Sequence, residues 1–190
     1  LKKHSFEGSK LAVLSSLFTL YGFSSLKKEL SKVDQTRLYL TDWQEQSLQS
    51  LIGTTHEVRL LNQLDQKRVA AECAKWIRGK IEVKASLTKQ VTQNLIHLQS
   101  KQVSFAIHGS ATISPIGLGD IGSNSLQMNM GLTDTESSRQ LLTWFDSIWA
   151  DEINSKSIKK ELIEKLDYIA ADQPANFVYF LTLFNLFKDF

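Results

Sequence analysis

The order of apolar and polar positions along this chain predicts an α/β fold. Alternating or short apolar runs, which are typical of strands, occur in six places: residues 10–18, 36–42, 80–85, 91–99, 102–109 and 125–134. The first of these runs is also compatible with a helix. The runs 91–99 and 102–109 surround Ser100 and Lys101, a pattern that predicts a hairpin. Helical spacing separates the earlier strands, so the sequence predicts a mixed sheet flanked by helices.

The strongest helix signal extends from Asp65 to Arg78. Its apolar stripe consists of Val69, Cys73, Trp76 and Ile77, and Gly79 follows as a stop signal. A helix with Ser24 or Ser25 as N-cap is predicted within residues 22–33, and a short helix within 43–53 that ends at Gly53. The last third is predicted to be helical over residues 135–152, 155–172 and 174–190.

One domain boundary is expected near Asp151, where the α/β pattern stops. Residues 1–150 would form an α/β domain, and residues 151–190 a C-terminal helical extension. The final stretch, residues 177–190, is apolar nearly all round a helix and needs cover on more than one side. We therefore expect the chain to be part of a longer protein.

Composition limits the functional classes. The 190 residues carry 22 basic and 20 acidic side chains, a formal charge of +2, so any contact with nucleic acid needs a local basic patch. Cys73 is the only cysteine, which excludes an internal disulfide or a cysteine-based zinc site and favours a cytoplasmic protein. No apolar run of membrane-spanning length is present in the sequence, and no cofactor motif is found.

The segment from Phe105 to Met130 carries most of the candidate chemistry. An apolar run ends at His108, Gly109 and Ser110, and turns containing Gly117, Gly119 and Gly122 follow. A phosphate-binding loop would open a helix and carry a lysine, whereas this segment leads into a predicted strand and carries Asp120. Turn geometry is the better explanation of these glycines.

Three strings resemble the phospholipase D-like superfamily, most closely its domains at the N-terminus of bacterial Swi/Snf-type superfamily 2 helicases. "HGSATISPIGLG" is similar to the family's G-S-x-N segment, with Gly109, Ser110, Ser114, Gly117 and Leu118 matching it. "SNSLQMNMGLTD" with "LLTWFDSIWADE", and "ANFVYFLTLFNLFKDF", resemble the elements that follow. The resemblance covers most of the chain and implies a phospholipase D-like mixed sheet.

Active members of that family use an H-x-K strand, in which histidine is the nucleophile and lysine binds phosphate, together with the Ser and Asn of G-S-x-N. Alignment with this pattern puts Thr92 at the histidine position and Asn94 at the lysine position. A competing alignment keeps Lys89 and puts Leu87 at the histidine position. Thr112 replaces the asparagine, so Ser110 alone is retained in both alignments, and an inactive phosphodiesterase is expected.

Three functional hypotheses follow. The first is a non-catalytic domain for nucleic-acid binding or docking in bacterial DNA metabolism or defence, with phosphate contacts from Lys84, Lys89, Lys101 and Ser110. The second is an active, metal-independent nuclease that brings Lys89, His97 and Ser110 together. The third is a protein-interaction scaffold. The expected partners are nucleic acid, a helicase-like region of the same chain and a second copy in a homodimer, without metal or membrane.

Overall fold

The computed structural model describes residues 8–54, 57, 65–79, 81–88, 91–100, 103–122 and 126–171. Its centre is a mixed sheet whose strands are β1 (Ser9–Ser15), β2 (Val33–Leu40), β3 (Ile81–Ser86), β4 (Asn94–Gln99), β5 (Ser104–Gly109), β6 (Asn129–Leu132) and β7 (Ser155–Ser157). The seven strands have the order β6-β5-β4-β1-β2-β3-β7. Only β1, β2 and β3 are mutually parallel; all other neighbours are antiparallel. The predicted α/β class and mixed sheet are confirmed.

Helices cover both faces of this sheet. The described helices are α1 (Leu20–Leu30), α2 (Leu48–Ile52), α3 (Gln66–Arg78), α4 (Thr135–Ala150) and α5 (Lys159–Ala170), with one 3-10 turn at Trp43–Glu45. Successive side chains of a strand point to opposite faces, so β1 contributes Leu11 and Val13 to one face and Ala12 and Leu14 to the other. Burial on both faces explains why β1 and β2 are apolar over several consecutive residues.

The larger core lies between the sheet and helices α1, α3 and α5. The predicted stripe of α3 is confirmed, because Val69, Cys73 and Ile77 are buried in this core and Trp76 packs at its edge. Leu162 and Leu166 of α5 are fully buried in the same cluster. A smaller core lies on the other face, where Phe145 of α4 is buried against Leu14, Tyr39 and Leu95.

The boundary expected near Asp151 has no counterpart in the packing of the described residues. Ser155–Ser157 form β7, which pairs with β3, although the sequence pattern predicted helix there. Helix α5 then packs into the larger core through Ile158, Leu162 and Leu166. Residues 151–171 therefore share the sheet and core of the preceding residues, because the apolar face of α5 is buried there.

One helix start differs from the sequence prediction, and a second helix, which begins at the predicted Thr135, has a cap that was not predicted. Helix α1 begins before Ser24, since Thr19 is its N-cap and accepts a hydrogen bond from the Gly22 N–H at 3.0 Å. Helix α4 is capped by Asp134, whose Oδ1 accepts from the Ser137 N–H at 2.7 Å. Several residues near each start can serve as caps, and the tertiary position of the chain selects one.

Within the part of the chain that the structure describes, no helix is long and apolar enough to cross a membrane.

Candidate functional site

The Gly109–Ser110 turn lies where the β4–β5 ladder ends, and Gly109 there pairs with Asn94. Gly109 has a φ of +149°, and a Cβ at this position would lie 2.3 Å from the carbonyl oxygen of Met128. Both the backbone angle and the close approach of the chain therefore require glycine. The turn brings the chain from β5 against the residues that precede β6.

Ser110 is exposed, but its hydroxyl is bonded to the neighbouring chain. Its Oγ donates to the Met128 carbonyl oxygen at 3.2 Å and accepts from the Met128 N–H at 3.1 Å. The Ser110 N–H donates to the same carbonyl at 3.1 Å. These three bonds give Ser110 a structural role in joining the turn to the approach to β6.

Asn94, the residue aligned with the family's lysine, is buried and hydrogen-bonded at both ends of its amide. Its Oδ1 accepts from the Ser16 N–H at 2.8 Å, and its Nδ2 donates to the Gly109 carbonyl oxygen at 3.4 Å. Thr92, the residue aligned with the histidine, is exposed and lies just before β4. In this alignment, an exposed hydroxyl and a structural amide thus stand where the family pattern has an imidazole and an ammonium group.

The residues after Ser110 form a hydrogen-bonded connection. Thr112, aligned with the family's asparagine, lies 3.0 Å from Ser114 between their hydroxyl oxygens. The Ser114 Oγ also accepts from the Gly117 N–H at 3.0 Å, and Gly119 has a φ of +78°. Turn geometry therefore accounts for these two glycines, as predicted.

The connection is also fixed to the end of β1. The Ile113 N–H lies 3.1 Å from both Ser15 Oγ and the Leu17 carbonyl oxygen, and its carbonyl accepts from the Thr19 N–H at 2.9 Å. The side chain of Asn129 accepts from the Ala111 N–H at 2.8 Å. Sequence reasoning did not identify Ser15 or Asn129; each is a polar residue at a strand end, which is the signal that was available.

His97 is buried on the α4 side of β4, whereas Asn94 extends from the opposite face. Its Nε2 lies 3.0 Å from Ser138 Oγ and 3.3 Å from Ser104 Oγ, and these two hydroxyl oxygens lie 2.8 Å apart. Burial lowers the pKa of His97, which favours a neutral imidazole; Asp146 acts in the opposite direction. His97 is a satisfied core histidine.

The structure does not bring His97 to the Gly109–Ser110 turn. His97 pairs with Ala106, three residue pairs from the Asn94–Gly109 pair, a separation of about 10 Å along the ladder. His108 is nearer, since it immediately precedes Gly109 and pairs with Met130. Its Nδ1 is buried and has no hydrogen-bond partner among the described residues.

The lysines proposed as phosphate contacts do not form a described cluster at this turn. Lys89 and Lys101 lie outside the described residues. The Lys84 Nζ donates to the Trp149 carbonyl oxygen at 2.9 Å and lies 5.4 Å from the centre of that indole ring. Strand β3 is three strands from β4, about 14 Å at the usual spacing. Leu87, from the competing alignment, follows β3 and is exposed.

Comparison of the sequence with protein-family models gives no match, and comparison with curated proteins finds none that is similar. Among the described residues, no three histidine, cysteine, aspartate or glutamate side chains form a group that could hold a metal ion.

Proposed function

We propose that this chain is a non-catalytic phospholipase D-like domain of a bacterial helicase-related protein, and that it binds nucleic acid. The observation that carries the proposal is the hydrogen bonding of Asn94, which replaces the family's lysine, and of Ser110, which is retained. Both ends of the Asn94 amide and both functions of the Ser110 hydroxyl are engaged by backbone groups. Such residues maintain the shape of a phosphate site without being available for chemistry.

Phosphodiester cleavage by this kind of site needs a nucleophile that attacks phosphorus and then leaves, and a cation that neutralises the developing charge. Thr92 lacks an adjacent base among the described hydrogen-bond partners, and a threonine hydroxyl is a weak nucleophile without one. Asn94 carries no charge. Loss of these two groups removes the reaction but leaves phosphodiester as the class of ligand that the resemblance implies.

Gel-shift titration with single- and double-stranded DNA at low salt tests the binding. We expect a shift that weakens steeply as salt is raised, because phosphate contacts release counterions. A folded sample that shifts neither DNA would remove the nucleic-acid part of the proposal. The scaffold hypothesis would then be tested by light scattering, with and without residues 177–190.

An active nuclease is the second candidate, and His108 is the observation that favours it. His108 is two residues from Ser110, and its Nδ1 lacks a described partner. Metal-independent cleavage would survive EDTA and disappear in His108→Ala but persist in Ser104→Ala. Intact plasmid and oligonucleotides after incubation with folded protein from about pH 5 to pH 8 would exclude this candidate.

A further inference from the structure

Helix α4 does not cover the whole of the sheet face against which it packs. The row of cross-strand neighbours Leu95, Leu14 and Tyr39 is fully covered by the helix. The next row away consists of His97, Ala12, Arg37 and Glu82, and beyond it lies the row Gln99, Lys10 and Gln35. These last two rows form the floor of a cleft of about 600 Å³, bordered by Leu142 and Lys159.

The cleft has the size of a ligand site and a polar floor. Small-molecule sites usually occupy about 300–1,000 Å³. Ala12 and His97 line the cleft but are nearly buried, at 3% and 1% exposure, so its accessible polar groups belong to Arg37, Glu82 and the outer row. The exposed amides of Gln35 and Gln99 flank Lys10 on the two neighbouring strands. None of these three side chains forms a hydrogen bond or ion pair with another described residue, so their donors are available.

Arg37 is held in a fixed orientation at the edge of this floor. One of its terminal nitrogens lies 2.8 Å from an oxygen of Asp146, and the guanidinium carbon lies 5.0 Å and 5.6 Å from the ring centres of Phe145 and Trp149. The side chain is still 33% exposed. A guanidinium group has five N–H donors in a rigid fork, and the remaining ones can reach a ligand without a large loss of side-chain entropy.

The distribution of charge favours an anion on the β1 side of the cleft. Lys10 and Arg37 are diagonal neighbours on β1 and β2, about 7–8 Å apart between side-chain origins. Lys159 adds a third cation at the rim, where its Nζ donates to the Gly79 carbonyl oxygen at 3.2 Å. Asp146 is engaged by Arg37, and the exposed Glu82 of β3 pairs with Arg37 on the side away from Lys10.

We propose that this cleft binds phosphate, with Lys10 and Arg37 as the charged contacts and Gln35 and Gln99 as hydrogen-bond donors. The ligand is the phosphodiester backbone of a nucleic-acid strand, so this inference depends on the proposed function and gives it a location. That location is remote from the Gly109–Ser110 turn: Gln99, which pairs with Lys10, ends β4 at the opposite end from Asn94. A free phosphorylated small molecule offers the same chemistry, and the experiment separates the two sources.

Fluorescence anisotropy with a labelled single strand of about 20 nucleotides at roughly 50 mM salt tests the site. Lys10→Glu changes an exposed side chain and is expected to raise the dissociation constant about tenfold or more, because it replaces an attraction by a repulsion. Lys75→Glu is the matched control, since Lys75 is exposed on α3, at the opposite face of the sheet. It is expected to change the dissociation constant less than about twofold.

The possible results distinguish failure of the cleft from failure of nucleic-acid binding as a whole. Equal weakening by Lys10→Glu and Lys75→Glu would overturn the cleft while leaving nucleic-acid binding intact. If the wild-type protein does not bind the strand, pyrophosphate is used as the second ligand in a thermal-shift titration. Stabilisation by pyrophosphate that Lys10→Glu abolishes would support the cleft as a site for free phosphorylated molecules and overturn the nucleic-acid proposal. Absence of both effects would overturn the two together.

Discussion

The Asn94 side chain links the start of β4 to the residue after β1, because its Oδ1 accepts a hydrogen bond from the Ser16 N–H at 2.8 Å. Asn94 is buried, so water cannot readily replace this bond. If Asn94 is the residue aligned with the family's phosphate-binding lysine, that position is part of the internal structure of this chain. A longer charged side chain at this position would lose the bond to Ser16 and bring a charge into a buried place.

Asn94→Ala is expected to lower the free energy of unfolding by about 1–3 kcal/mol, because the Ser16 N–H loses its acceptor. Asn94→Lys should be at least as destabilising, since the charge has no described partner there. Urea denaturation measures both. The exposed Thr92→Ala serves as control and should stay within about 0.5 kcal/mol of the wild type. A stable Asn94→Lys protein would contradict the structural role of Asn94.

Gly109→Ala is expected to be strongly destabilising, because the new Cβ would lie 2.3 Å from the Met128 carbonyl oxygen at a φ of +149°. Gly119→Ala is the control: its φ is +78°, but the position opens to free space. The control should lose only about 1 kcal/mol, from the backbone angle alone. If both variants lose the same stability in thermal or urea unfolding, the close approach of the chain to Met128 does not exclude a side chain at position 109.

We expect His97 to make the free energy of unfolding depend on pH. Burial lowers its pKa in the folded state, so the unfolded chain, with a pKa near 6.5, binds more protons as the solution becomes acidic. The resulting stability is present above about pH 6.5 and is lost as the pH falls below it. We expect the free energy of unfolding to decrease between about pH 7.5 and pH 5.5.

His97→Gln should flatten this pH dependence, because it removes the titrating group. Ser138→Ala removes one hydroxyl next to the imidazole but keeps the ring buried, and the pH dependence should therefore remain. Urea unfolding of the three proteins over the same pH range makes the comparison. An unchanged slope in His97→Gln would assign the effect to other groups.

Lys84→Met is expected to weaken the attachment of α4 to the sheet. The ammonium group bonds the Trp149 carbonyl near the C-terminus of α4 and lies over the Trp149 ring. Each of these interactions is worth roughly 0.5–1 kcal/mol. A loss of stability in urea, without the loss of DNA affinity that is expected of Lys10→Glu, would support a structural role for Lys84. Weaker DNA binding at unchanged stability would instead favour the phosphate contact predicted from sequence.

Local patterns of apolar and polar residues were sufficient to predict most of the fold. The stripe of α3, the hairpin of β4 and β5 and the mixed sheet were all predicted, because burial on one face imposes a regular spacing on apolar residues. The short strand β7 was missed, since its three residues are polar and their strand conformation comes from pairing with β3. The caps Thr19 and Asp134 were missed because several residues near each start have suitable side chains.

For the candidate site, too, the sequence determined one part and the tertiary structure another. By itself, the sequence determined which side chains are present. It has no histidine at either position aligned with the family's nucleophile, it has a glycine-serine pair after an apolar run, and its charges nearly balance. Tertiary structure alone decided what those groups touch. In the folded chain, Asn94 is hydrogen-bonded to Ser16 and Lys84 to Trp149. Lys10, Arg37 and Gln99, which come from three strands, line one cleft. Sequence spacing does not encode the register between strands distant along the chain, and that register determines which side chains become neighbours.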